Sequence, residues 1–475
     1  MRRKVWAGIL TPVVVLGGLG AYAWADAEDL VPGVLTTAEE KLPPAPFLSA
    51  EPVAAVPPTE GPVTNLDGDA PQPTKATIDA LAKKLRDDER TGDSTNVSVL
   101  DYVTGEYLGG ISPADSQVPA STTKLLTAAA ALHALGPDFT TTTEVTWDPG
   151  TATLTLVAGG DLMLAAGDGH HGVGHEDDLD EANGWAGLGD LAQMVRTELG
   201  DSAPAAVNVA VDDTAFPGPA WPEAWPEYAR VNGYAAPVTG IAVNVARLEG
   251  DGYGPRHDDP SLAAADDFAQ ALAAAGFTVD DVDHGTTPAD AAVVASVESA
   301  PLSLVTKYFL AVSDNTISEV VARVLALETG QAVNPSGAAA ATIAQLRDMG
   351  VDTDGLALFD GAGFSENNRI APSQLTSTIV ASRTDPHNVD LVNYMALGGL
   401  EGTVEARYEG TSAAGYVRAK TGSLTGVTTL AGIVTTADGR VLAFATMADG
   451  MPYGQSRPMG AIDDFVTALA DCGCQ

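Results

Sequence analysis

Cysteine is almost missing: two residues in 475, Cys472 and Cys474, both at the extreme C-terminus. No disulfide framework can hold such a fold together, and a thiol on a frayed end is not a credible nucleophile. Outside a cell a Cys-x-Cys pair oxidises to a small strained loop more readily than it collects a metal. Basic residues are scarce too, 24 Lys and Arg against 63 Asp and Glu, a formal net charge of −39. A surface that negative repels phosphate backbones and anionic headgroups, which argues against nucleic acid as a partner; the acidity itself reads as a device for solubility or salt tolerance. Also lacking are a Gly-x-Ser-x-Gly elbow, so that no Ser-His-Asp triad is called for, and any repeat of solenoid period. Nothing calls for a cofactor. His170, His171 and His175 stand with Glu176, Asp177 and Asp178 in a Gly/Asp-rich stretch that reads as a solvated loop, and no metal site is assigned to it.

What is present begins with Arg2, Arg3 and Lys4, followed by an apolar run from Val5 to the small-residue pattern Ala23-Trp24-Ala25. That is an export signal. A run of roughly 20 residues is also long enough to stay in a bilayer as an N-terminal anchor. Either way the bulk of the chain is expected outside the cytoplasmic membrane. Residues 26–75 are proline-rich, with Pro43-Pro44-Ala45-Pro46 and Pro57-Pro58, and read as an extended linker.

Order is expected from Ile78, where Ile78, Leu81, Ala82 and Leu85 recur at helical spacing, and a hairpin turning at Thr104-Gly105 follows. A helix is expected from Ser121, preceded by Pro119 and stopped by Gly136-Pro137; a second hairpin turns at Asp148-Pro149-Gly150. Residues 148–296 mix short strands, Gly/Asp/Pro loops and one helix near Leu262 to Ala275, and read as an inserted mixed α/β module. Helical pattern resumes at Leu302 to Val312 and, after Ser313-Asp314-Asn315, from Ile317 to Glu328. Three strands, Tyr416 to Lys420, Thr428 to Thr435 and Arg440 to Met447, precede a closing helix from Pro458 to Ala470. Strands at both ends with helices between predict an α/β sandwich, an antiparallel sheet flanked by helices, formed by 76–147 and 297–475.

Three short motifs fall in order along this frame: Ser121-Thr122-Thr123-Lys124, Ser313-Asp314-Asn315 and Lys420-Thr421-Gly422. Alone, the first is commonly an N-cap beside a solvated lysine, the second a turn, the third a strand end. Together they form a coherent site. A serine hydroxyl needs an adjacent base, and residues i and i+3 of a helix share a face, which sets the Lys124 amine beside Ser121. Lys124 must be neutral to act, and burial, the helix dipole and a second cation, which Lys420 would supply, all push that way. The Ser121 amide at the helix start offers one oxyanion donor, and the Ser423 amide a second. Ser313 would relay a proton to the leaving amine and Asn315 would bond a substrate amide. Lys420 on an edge strand would meet a free carboxylate with help from Thr421, and Gly422 leaves room for substrate backbone.

The stretch Pro119-Ala-Ser-Thr-Thr-Lys-Leu-Leu-Thr-Ala-Ala-Ala-Ala-Leu, the segment Asp360-Gly-Ala-Gly-Phe-Ser-Glu-Asn-Asn, and Arg418-Ala-Lys-Thr-Gly-Ser-Leu-Thr-Gly-Val resemble the class C low-molecular-mass penicillin-binding proteins, over roughly Ile78 to Ala470. The 192 positions between Ser121 and Ser313 (313 − 121) match that family's long insertion and speak against a plain β-lactamase. The resemblance implies the penicillin-binding/serine β-lactamase-like fold. It also implies serine D-alanyl-D-alanine carboxypeptidase activity, with endopeptidase activity alongside, on peptidoglycan stem peptides through an acyl-enzyme on Ser121, and covalent capture by β-lactams. The alternatives on the same scaffold are a β-lactamase or esterase, which would need a positioned glutamate such as Glu366 or Glu401, and a non-catalytic wall-binding protein.

Overall fold

The computed structural model describes residues 70–472 except Asp93, Glu176, Asp177, Asp251 and 452–457. The leader, nearly all of the linker, and Cys474 with its proposed pairing lie outside the described residues.

Helix α1 (Lys75–Arg86) begins at an N-cap, Thr74, whose hydroxyl accepts the Thr77 amide, and it buries Ile78, Ala82 and Leu85. Two strands follow, β1 (Ser94–Asp101) and β2 (Tyr107–Ile111), then helix α2 (Thr123–Leu135). Ten consecutive residues of α2, Thr123 to Leu132, are buried, as expected of a helix apolar all round. The chain next builds β3 (Thr142–Asp148), β4 (Thr153–Val157), β5 (Asp161–Leu164), α3 (Leu188–Leu199), β6 (Ala206–Asp212), α4 (Glu227–Val231), β7 (Ile241–Val243), α5 (Pro260–Ala274), β8 (Thr278–His284) and β9 (Ala292–Glu298). The return runs through α6 (Leu302–Val312), α7 (Asn315–Glu328), α8 (Pro335–Asp348), α9 (Pro372–Ser382), β10 (Ala396–Leu397), β11 (Val417–Leu424), β12 (Val427–Thr435), β13 (Val441–Asp449) and α10 (Pro458–Ala470).

The first sheet is antiparallel, in the order β10-β11-β12-β13-β1-β2, so the start and end of the described chain meet where β1 pairs with β13. Strand β13 shows why both faces are covered. Its period of two sends Leu442 and Phe444 to one side, against Ile78, Leu85, Ile462 and Phe465 of α1 and α10. Ala443, Ala445 and Met447 go to the other, against Leu125, Leu126, Leu375 and Ile379 of α2 and α9. A helix that has lost its partner on either side would expose that apolar row, and this burial fixes α2, and with it Ser121, against the sheet.

The second sheet, in the order β8-β6-β4-β3-β9, is mixed: β4–β6 and β6–β8 are parallel, β3–β4 and β3–β9 antiparallel. Helices α3 and α5 pack on it through Leu188, Leu191, Val195, Phe268 and Leu272. The sequence pattern predicts one helix in this stretch, and its described residues hold three α-helices. The apolar set Leu188, Leu191, Ala192 and Val195 has helical spacing, but glycines at both ends, Gly187 and Gly200, give the segment the look of a loop. Strand β11 also runs four residues past its expected end at Lys420, through Thr421-Gly422-Ser423-Leu424.

Candidate active site

Ser121 sits in a 3₁₀ turn, Ala120–Thr122, that leads into α2; the α-helix proper starts two residues later than the sequence suggests. Ala120, just before the serine, has φ 49°, a costly backbone setting for a residue with a Cβ. What holds it there is local. The Ala120 carbonyl accepts the Thr123 hydroxyl at 2.9 Å, and the Pro119 carbonyl accepts the hydroxyls of Thr122 and Thr429, each at 2.7 Å.

Lys124 is fully buried. Its Nζ donates to Ser121 Oγ at 3.0 Å, to Asn315 Oδ1 at 2.6 Å and to the Ala362 carbonyl at 2.7 Å. All three partners are neutral. Burial pushes the amine down to about 7, while the carboxylates of Asp360, Asp314 and Glu319 pull the other way. Burial, rather than the second lysine, is therefore what brings Lys124 near neutrality. On Lys420 burial is again the first cause, and the Lys124 ammonium the second, of an amine held well below its ordinary value.

The Ser313-Asp314-Asn315 turn joins α6 to α7. Ser313 is left-handed at φ 65°, and Asp314 caps α7 by accepting the Ile317 amide at 3.0 Å. Ser313 Oγ accepts Lys420 Nζ at 2.8 Å. Asn315 is engaged at both ends, with Oδ1 on Lys124 and Nδ2 donating to the Tyr234 carbonyl at 2.8 Å, which leaves one Nδ2 hydrogen and one Oδ1 lone pair for a substrate amide.

Lys420 departs from expectation. It is fully buried, turned inward onto Ser313 Oγ and the Thr421 carbonyl, and does not open onto the cleft. Its strand is second in the sheet, not first, but the edge strand β10 pairs only with Arg418 and Ala419, so β10 leaves the edge from Lys420 to Leu424 uncovered. Gly422 also has a different reason for being glycine. A Cβ there would lie 2.1 Å from Thr429 Oγ1, 2.8 Å from the Pro119 carbonyl oxygen and 3.1 Å from the Ser121 nitrogen. The room is taken by the protein's own Ser121 turn.

These groups border one open cleft of roughly 700 Å³ lined by Ser121, Ser313, Asn315, Thr421 and Ser423. Its far wall was not foreseen. Tyr228, Asn232, Tyr234 and Tyr253 come from the β3–β9 stretch, residues 142–298, with Tyr234 edge-to-face against Tyr253 at 5.0 Å; Phe364, Thr403, Leu424 and Thr425 also line it. A signal existed: in a chain only 6% aromatic, Trp221, Trp225, Tyr228, Tyr234 and Tyr253 crowd into 33 residues (253 − 221 + 1).

The Asp360 to Ser365 turn supplies the floor. Asp360 accepts the Gly363 and Ser365 amides, Asn368 Nδ2 and Trp225 Nε1, and Glu319 accepts the Gly361 amide at 2.7 Å. Glu319 is buried against Arg323 at 3.2 Å, and burial pushes its carboxyl up to about 7. The outcome is a rigid peptide that presents the Ala362 carbonyl to Lys124. Glu366 is exposed and Glu401 lies beside Arg418 at 3.7 Å; neither lines the cleft. His133 lies between Asp385 and Asp348 at 2.6 and 3.0 Å, away from Ser121, and among the described residues no group of His, Cys, Asp and Glu is arranged to hold a metal.

The chain is similar to known proteins over most of its length. The family model for "D-Ala-D-Ala carboxypeptidase 3 (S13) family" matches residues 77–252 and 246–471. Carboxypeptidase DacB of Mycolicibacterium smegmatis is 34% identical over 94% of each chain, and a D-alanyl-D-alanine carboxypeptidase of Actinomadura sp. is 29% identical over 83% of this chain and 84% of its own. Among solved structures, penicillin-binding protein 4 (dacB) of Haemophilus influenzae superposes with a TM-score of 0.64 at 19% identity, over 82% of this chain and 98% of that one, which identifies the fold as the penicillin-binding type. With the motif resemblance, the family match over nearly all of the described chain and the extended identity to these carboxypeptidases, the protein belongs to the D-Ala-D-Ala carboxypeptidase 3 (S13) family.

Proposed function

We propose that this family member releases D-alanine from peptidoglycan stem peptides through an ester on Ser121, with Lys124 as the base. The observation that carries the reading is the Lys124 amine: fully buried, 3.0 Å from Ser121 Oγ, and bonded only to neutral acceptors. As Ser121 Oγ attacks the penultimate D-alanine carbonyl, its proton passes to Lys124 Nζ. The amides of Ser121 and Ser423 receive the oxyanion. The C–N bond then breaks, and the leaving amine takes a proton through Ser313, whose hydroxyl is replenished from the lysines behind it. Water cleaves the ester in a second round. The substrate's terminal carboxylate lies along Thr421 and Thr403, whose hydroxyls are 2.9 Å apart, with the Lys420 amine behind Ser313. Such a substrate lies outside the cytoplasmic membrane, and we place the catalytic part there.

None of the residues lining the cleft is acidic, so the positioned glutamate that the β-lactamase alternative calls for is not in place. A penicillin ester on Ser121 is therefore expected to persist. Among the described residues no helix is long and apolar enough to cross a membrane.

A fluorescent penicillin should label the protein covalently, with the label mapped by mass spectrometry to the peptide carrying Ser121, and a pentapeptide ending in D-Ala-D-Ala should yield free D-alanine. Label on another peptide, or rapid penicillin turnover without D-alanine release, would reject the assignment. The rate of labelling also carries a sign. The base works only when neutral, so acylation should fall about tenfold per pH unit below the Lys124 pKa, which burial sets at about 7. A rate unchanged between about pH 5 and 8 would remove Lys124 from the role.

A further inference from the structure

Three contacts tie the segment that carries the tyrosine wall to the Ser313-Asp314-Asn315 turn and the residue after it. The Tyr234 carbonyl accepts Asn315 Nδ2, the Ala236 amide donates to Thr316 Oγ1 at 2.9 Å, and Arg247 Nη2 donates to Asp314 Oδ2 at 3.3 Å. The third differs in kind, because it is an ion pair with both side chains 4% exposed. A buried pair of this sort is poor evidence for stability, and its common use is to fix one arrangement among several.

Arg247 is held by more than its partner. Nη2 also reaches Tyr308 Oη at 3.2 Å, Nη1 reaches Asn244 Oδ1 at 3.2 Å, and Nε reaches the Gly252 carbonyl at 3.3 Å. The three residues before it, Asn244, Val245 and Ala246, are all left-handed, at φ 44°, 54° and 57°. A run of three such residues with side chains is costly, persists only where its surroundings force it, and is found at sites whose geometry matters. Here the strained turn delivers the guanidinium to Asp314. Asp314 in turn uses one oxygen to cap α7 and the other to receive Arg247, and its neighbours on either side carry the two hydrogen bonds that align the lysines, Ser313 with Lys420 and Asn315 with Lys124.

We propose that Arg247 is a positioning residue for the acylation step, acting through Asp314 to fix the Ser313–Asn315 turn and to balance the Asp314 charge next to Lys124. This rests on Lys124 being the base. The charged groups around that amine are Asp314 and Glu319 from α7, Asp360 from the floor turn and Lys420 from β11, with Glu319 already paired to Arg323. Around Asp314 stand Arg247, Arg256, Tyr308 and Tyr253. Arg247 is the one whose guanidinium bonds the carboxylate directly.

The test is the pH dependence of labelling by fluorescent penicillin, which separates charge balance from simple damage because the two halves of the pair act in opposite directions. Arg247→Gln leaves the Asp314 charge uncompensated, raises the Lys124 pKa and moves the acid limb up by about half a unit or more; Asp314→Asn removes a charge that favours the ammonium and moves the limb down by a similar amount. Arg247→Lys keeps the charge and returns the limb to its wild-type position. Limbs that move the same way in the first two variants, or do not move, overturn the inference. Where Arg247→Gln does not fold, a downward shift in Asp314→Asn with an unshifted Arg247→Lys upholds it, and any other combination overturns it. A wild-type protein labelled on Ser121 but lacking an acid limb would overturn the Lys124 reading and this inference together, whereas a limb that fails to split between the variants overturns this one alone.

Discussion

Lys124→Met should abolish measurable acylation on the time scale of the wild-type reaction, a loss of roughly 10⁴-fold in the labelling rate, in a protein that still folds. Ser121 has no other base within the cleft: Lys420 Nζ bonds to Ser313, and the cleft lining has neither a carboxylate nor a histidine. Two opposing effects act on stability. Methionine leaves Asn315 Oδ1 and the Ala362 carbonyl without their donor, at about 1–3 kcal/mol for each group that stays dry. Against that, a fully buried amine no longer has to be carried, and an unbranched apolar chain fits its channel. The net change should be within about 2 kcal/mol by thermal or chemical denaturation. Labelling within tenfold of wild type, in a variant melting near the wild-type temperature, would mean that another group accepts the Ser121 proton.

Reading that lysine from sequence was possible because the first motif is local. Ser121 and Lys124 are three residues apart, and the helix that joins them is written in a run of alanines and leucines whose burial the structure bears out. The closing helix, Pro458–Ala470, was legible for the same reason. Where the reading fell short, the information lay in contacts between distant residues. Asn315 and Tyr234 are 81 positions apart, and Trp225 and Asp360 are 135 apart, and no spacing rule connects either pair. Lys420 shows the limit most plainly. A lysine near the end of a strand is ordinarily solvated; here the left-handed Ser313, brought in from 107 positions upstream, joins the adjacent Thr421 carbonyl as an acceptor for its amine inside the protein. Gly422 adds a reason that no spacing carries: a Cβ there would run into Thr429 Oγ1 and the Pro119–Ser121 backbone.

The aromatic wall and the Arg247 pair together alter how residues 142–298 relate to the chemistry. A segment of that length could merely shape the far side of a cleft. Here it also grips the second motif through Tyr234, Ala236 and Arg247 and the floor through Trp225, so its packing and the alignment of the two lysines are one structural problem. Substitutions in it should then lower the rate of acylation as well as alter which side chains the cleft accepts.

The floor offers the largest stability effect. Asp360→Ala is expected to destabilise the protein by roughly 4 kcal/mol and to slow labelling about 100-fold in the fraction that remains folded. Four donors converge on this buried carboxylate: the Gly363 amide at 2.6 Å, the Ser365 amide at 2.7 Å, Trp225 Nε1 at 3.0 Å and Asn368 Nδ2 at 3.1 Å. All four belong to residues that are themselves buried, so water cannot replace the lost acceptor without opening the turn. Opening it moves the Ala362 carbonyl, which with Asn315 Oδ1 aims Lys124 Nζ at Ser121, and relaxes the contact in which Gly363, at φ 87°, passes so close to Ala120 that a Cβ would lie 1.9 Å from its carbonyl oxygen. Asp360→Asn keeps one oxygen and the shape but turns an amide toward donors, and should lose about half as much. Chemical denaturation gives the stability and penicillin labelling the rate. A loss under about 1 kcal/mol with labelling unchanged would show that the floor is held by Glu319 and Gly361 instead, and that Asp360 only fills space.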